Sequence, residues 1–134
     1  MGRRPDWRTR LNDELAASAR RPFEWGSNDC ALFSMRCVEA MTGVNPAASY
    51  AGKYKTARGA LGIIRRAGHT DLAAFAAAYF AAIHPSQANV GDVAAVQTEH
   101  GSALGIFGGA CIHVMRADGL GTVPRSAAIS AYRI

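Results

Sequence analysis

The hydrophobic pattern of this chain changes period once, and that change constrains its fold more than any other feature. Up to about residue 90 the apolar residues recur every three or four positions, the spacing of a helix face. From Gly91 onward they fall into short runs broken by glycine, the pattern of strands and tight turns. Helices first and strands last predict an α+β domain, with helices packed on one face of a small antiparallel sheet. The chain has 134 residues, the length of one domain. Its expected parts are an N-terminal helix within 1–21, a loop and helical part over 22–90, and the sheet over 91–134.

Within the helical part, Trp7, Leu11, Leu15 and Ala19 predict a helix over 6–20. Pro22 and Gly26 then mark a loop over 21–29. A second helix is expected over 30–42, capped by Asn28 or Asp29 and closed by Gly43. Its apolar stripe is Phe33, Cys37, Val38 and Met41. A third is expected over 54–67, weakened by Gly59 and Gly62. A fourth, Ala-rich helix over 71–83 is expected to start at a Thr70 cap and to stop before Pro85. Strands are expected at 92–97, 102–108 and 110–115, with Asp118-Gly119 as a turn and a last strand ending at Ile134.

Charge and composition exclude several classes. No run of ~18 apolar residues is present, so no membrane-spanning helix is expected. The basic N-terminus has no apolar stretch behind it, so no secretory signal is expected. The net charge is +5, and thirteen of the fifteen cations are arginine. Six of these arginines lie within the first 21 residues. They suit a solvated helix face, or a patch for phosphates or an acidic partner. No zinc-finger, RNA-binding or helix-turn-helix signature accompanies them, so nucleic acid is not the expected partner. The cysteines are three, Cys30, Cys37 and Cys111, which suggests free thiols in a reducing compartment. No ligand spacing suggests a metal site, and no cofactor motif is present. His69 and His84 sit beside helix ends, where surface or capping roles are expected.

Cys30 stands apart by position. It opens the second expected helix directly after a loop, where free amide groups and the helix dipole favour a thiolate. Cys37 and Cys111 read as small apolar residues of a helix stripe and a strand. Asp29 reads as the helix cap, Trp25 as packing for the loop or a wall of a cleft, and Asp92 as a residue that fixes the turn at the start of a strand.

The segment from Pro22 to Phe33, PFEWGSNDCALF, resembles the nucleophile motif of the NlpC-type cell-wall cysteine peptidases, in which a Trp-Gly loop leads to Asp-Cys at a helix start. Gly91-Asp92-Val93 resembles the Gly-Asp-Leu/Val that begins the first core strand of that family. Ala103-Leu104-Gly105-Ile106-Phe107 resembles its His-Val-Gly-Ile-Tyr strand, and Ile112-His113-Val114 its Ile-His-Ala strand. The resemblance runs from about Pro22 to about Met115 and implies a papain-like fold. It places Cys30 at the nucleophile, His113 at the residue that orients the general base, and Trp25, Gly26, Asp29 and Asp92 in the surrounding motifs. The general-base position is occupied by Ala103, which cannot accept a proton. His100 lies three residues upstream, on the opposite face of a continuous strand unless a bulge or hairpin turn at Gly101 changes the parity.

Compact variants of this fold that lack the base occur among proteins encoded in phage and prophage tail-gene clusters. This chain is similar to them, including Val123 to Ala128 and the terminal Ala-Tyr-Arg-Ile. The resemblance implies a non-catalytic tail-tip or baseplate protein, made in the host cytoplasm and assembled beside hub proteins. The alternatives are an active peptidoglycan hydrolase using Cys30 with His113 or His100, a thiol acyltransferase of the same fold, and a binding module with an arginine-rich surface.

Overall fold

The computed structural model describes residues 2–99 and 101–134. His100 therefore lies outside the described residues. The described part forms four α-helices and a six-stranded antiparallel sheet. The helices are α1 (Trp7–Ala19), α2 (Cys30–Thr42), α3 (Ala57–Arg66) and α4 (Leu72–Tyr79). The strands are β1 (Ala81–Ile83), β2 (Val93–Thr98), β3 (Gly101–Phe107), β4 (Cys111–Arg116), β5 (Gly119–Pro124) and β6 (Ala128–Arg133).

The helix boundaries follow from their caps. Asp29 accepts a hydrogen bond from the Leu32 amide at the start of α2. Gly43 ends that helix with φ at +88°, a left-handed conformation that glycine adopts without strain. Thr56 caps α3 through the Gly59 amide, so that helix starts three residues later than its apolar pattern suggests. The expected Thr70 cap is displaced by one residue: Asp71 accepts from the Ala74 amide instead.

The Ala-rich helix is also shorter than expected. It ends at Tyr79, and Ala81–Ile83 pair with β6 as the edge strand β1. The competing ladder accounts for this. Residues 81–83 find backbone partners in Ala131, Tyr132 and Arg133, whereas a longer helix would leave the last strand without an outer neighbour.

Strands β2 to β5 form a meander, and β6 returns to pair with β2 on its other side. The sheet order is β1-β6-β2-β3-β4-β5. Both faces carry buried side chains, and strand alternation separates them. Val93, Ala95, Leu104, Ile106, Met115 and Tyr132 pack with Leu11, Phe33, Cys37, Val38, Met41 and Phe75 of the helices. The entire expected stripe of α2 is inside this core. Ala94, Val96, Ala103, Phe107, Ile112 and Val114 belong to a second cluster, which includes Cys30.

The N-terminal arginines are partly structural. Arg3 donates to the carbonyls of Ile134 and Val90 and to the Asp92 carboxylate, and its guanidinium lies 4.2 Å from the Trp7 ring centre. Arg10 pairs with Asp6 one turn away. Asp92 is buried and also accepts from the amides of Asn89 and Ile134. It thus fixes its turn, as expected, and additionally ties both chain ends to the start of β2. Among the described residues no helix is long and apolar enough to cross a membrane.

Replacing Asp92 with Ala strands the guanidinium of Arg3 and two amides in a largely dry site. The expected loss is about 3 kcal/mol of folding free energy, read from the urea midpoint at constant m-value.

Candidate functional site

The loop before α2 is built around one carboxylate. Asp29 is 1% exposed. One oxygen caps α2 through the Leu32 amide at 3.0 Å. The other accepts from the Gly26 amide at 2.9 Å and from the Tyr54 hydroxyl at 2.5 Å. Gly26 has φ at +87°, and a methyl group there would lie 2.1 Å from the Tyr54 carbonyl oxygen, so only glycine fits. The loop is further held by Asn28, whose amide donates to the carbonyls of Arg21 and Pro22 and whose oxygen accepts from Arg36. Arg36 also faces Glu14 at 3.6 Å, which ties the loop to α1.

Cys30 follows directly and is among the residues that line a cleft of about 700 Å³. Trp25, Asp29, Tyr54, Leu61 and Ala103 are among the other residues lining it. Phe23 stacks edge-on against Trp25, with ring centres 4.9 Å apart. The walls are largely apolar, and α3 forms one of them. The volume lies in the range of small-ligand pockets.

The surroundings of the thiol favour its protonated form. The expectation of a depressed pKa from its place at the helix start is overturned. Burial is the largest cause and pushes the Cys30 thiol up to about 12, and the adjacent charge of Asp29 adds to the shift. The backbone amides of Leu104, Ala31 and Cys30 act in the other direction without offsetting it. The reason is geometric: Cys30 is 8% exposed and packs in a cluster with Ala103, Val96 and Val114, with the Asp29 carboxylate raising the shift further. Tyr54 is likewise pushed up, first by burial and then by Asp29, so it remains a hydroxyl donor.

The candidate site residues do not all converge. Cys30, Ala103, Trp25 and Asp29 share the cleft. His113 does not line it. Its direct cross-strand partner is Ile106, so it stands on the face of Ile106. A methyl group on Gly105 would touch the side chains of Ile112 and Val114, so Gly105 and, by alternation, Ala103 face the other way. His113 is therefore on the wrong face of the sheet to orient a base at position 103. His69 packs edge-on to Phe75, and His84 caps a short turn through the Ser86 amide. Neither lines the cleft. Asp92 sits with Arg3 and Ile134, as described above. Among the described residues no group of three or more His, Cys, Asp and Glu side chains is placed to hold a metal ion.

Tyr54 is the site residue that sequence reading missed. It falls at the edge of an apolar helical pattern, and nothing local to it signals a partner 25 positions away.

The raised thiol pKa has a signed consequence for stability. Above about pH 8.5 the unfolded chain loses the Cys30 proton while the folded chain keeps it. Folding stability should then fall as pH rises, by at most about 1.4 kcal/mol per unit for each such thiol. Cys37, pushed up by burial above all, adds to the same trend. Urea midpoints between about pH 8.5 and 10 should decline more steeply for the wild type than for Cys30→Ala. Parallel lines for the two proteins would contradict the burial of an un-ionised sulfur.

No curated protein matches the chain. A family model matches residues 2–134, and the chain belongs to that family, Domain of unknown function (DUF6950).

Proposed function

We propose that this chain is a non-catalytic relative of the NlpC-type cysteine peptidases that serves as a structural part of a phage or prophage tail tip. The observation that carries the first half of this reading is the state of Cys30. The sulfur at the nucleophile position is buried and un-ionised, Asp29 lies beside it, and the base position is the methyl group of Ala103. A cysteine peptidase needs a thiolate and a base within hydrogen-bond reach of it. Neither His69, His84 nor His113 lines the cleft.

A helix opened by the cysteine and laid on an antiparallel sheet supports the papain-like assignment. The buried interlock of Asp29, Gly26 and Tyr54 gives the Trp-Gly…Asp-Cys segment a structural role that needs no chemistry, since it sets the loop and starts α2. The tail-tip setting rests on the likeness of the Pro22 to Phe33 and Val123 to Ala128 segments to tail-cluster proteins. In this reading the chain is made in the host cytoplasm and its partners are hub and baseplate proteins.

Two measurements test the proposal. Particles lacking the protein should fail to form infectious tails, whereas particles carrying Cys30→Ala should plate normally. Purified wild-type protein should release no muropeptides from peptidoglycan between about pH 5 and 9. Release that is abolished by Cys30→Ala, with or without the help of His100, would replace this reading with an active hydrolase.

A further inference from the structure

Helix α3 lends its apolar face to the cleft. Ala57, Ala60, Leu61 and Ile64 recur at the spacing of one helix face, and all four line the cleft. Arg58, Arg65 and Arg66 of the same helix are exposed. Ala57, Ala60 and Leu61 are only half-buried, so part of the apolar face is not covered by another layer of the protein. Leu72 and Phe75 of α4 line the cleft as well. A face of this kind reaches full burial only when an apolar group sits against it.

The polar groups of the cleft narrow the class of ligand. Asp29, Tyr54, Asp71, Thr98 and Ser102 line it without being exposed, and each is engaged within the chain. Tyr54 donates to Asp29, and Asp71 caps α4. Ser102 Oγ accepts from the Ala73 amide at 3.2 Å, and Thr98 Oγ1 donates to the Gly101 carbonyl at 2.8 Å. Tyr50 adds one hydroxyl, on a ring edge-on to Phe75. The exposed charges among the described lining residues are balanced, Arg65 and Arg116 against Glu99 and Asp118. An ionic ligand therefore meets no spare counter-charge inside and no net attraction from the lining, and its desolvation is not offset. A hydrocarbon surface meets none of these costs, and the cleft volume lies in the small-ligand range.

We propose that this cleft binds an uncharged small molecule of mainly hydrocarbon character, seated against the apolar face of α3. The inference deepens the reading of the cleft as non-catalytic and rests on it. The same walls that keep water from Cys30 would then serve to hold an apolar molecule, and binding would complete the burial of Ala57, Ala60 and Leu61.

The neutral fluorophore N-phenylnaphthylamine tests the proposal on the full chain. Its emission should rise on mixing with the folded protein, and decanol should displace it. At about pH 7.5, where its carboxylate is ionised, decanoate should compete about tenfold more weakly than decanol or worse. Leu61→Asp sets a charge on the apolar face of α3 and should weaken uptake of the dye by about tenfold or more. Ala60→Phe fills the cleft without adding charge and should weaken it as well. Circular dichroism and thermal melting establish that each variant is folded. A wild-type protein that takes up neither dye nor decanol, or that binds decanoate as tightly as decanol, would overturn the proposal without any variant. Undiminished uptake by folded Leu61→Asp and Ala60→Phe would overturn the assignment to this cleft. Displacement of the dye by acetyl-Leu-Phe-amide but not by decanol would overturn it in favour of a polypeptide occupant. Muropeptide release decides the non-catalytic reading and dye uptake decides this one, so either can fail alone.

Discussion

The carboxylate of Asp29 is the interaction on which this site depends. It is almost wholly buried and accepts three hydrogen bonds, from Leu32, Gly26 and Tyr54. These three donors belong to the first turn of α2, to the loop before it and to the segment before α3. One side chain thus starts the central helix, closes the loop and anchors the wall of the cleft. A buried carboxylate is tolerable only when its oxygens are satisfied in this way. Its cost to chemistry is direct: a negative charge placed next to a buried sulfur favours the protonated thiol.

That arrangement separates two properties that a helix-opening cysteine is usually expected to combine. The amides and dipole at a helix start favour a thiolate, but only within the first turn and at a strength of roughly 1 kcal/mol. Removing the sulfur from water costs more, because neither a cation nor an imidazole among the described cleft residues answers it. The balance lies with burial, and the sulfur acts as a small apolar group joining α2 to Ala103, Val96 and Val114 of the sheet.

Much of the fold is legible in the residues because it rests on local rules. The stripe of Phe33, Cys37, Val38 and Met41 is the buried face of α2, Asp29 is its cap, and Gly43 ends it. The runs after Gly91 become strands. The α+β class follows from the change of period alone. What escapes local reading depends on contacts distant in sequence. Residues 81–83 continue an Ala-rich helical pattern but are taken by the ladder with β6. Tyr54 reaches Asp29 only because the loop folds back over it. His113 looks correctly placed by motif spacing, yet the pairing of Ile106 with His113 sets its face. Register of this kind is decided between strands, and a one-residue difference reverses every side chain.

The central claim is that the sulfur of Cys30 carries a proton throughout the neutral range, and thiolate absorbance in the ultraviolet tests it most directly. Difference titration of the wild type against Cys30→Ala isolates this one group from Cys37 and Cys111. The account predicts no thiolate signal from Cys30 below about pH 10, given a thiol pushed up to about 12. A titration step from Cys30 centred near or below about pH 7 would contradict it and would return the residue to the ranks of activated nucleophiles.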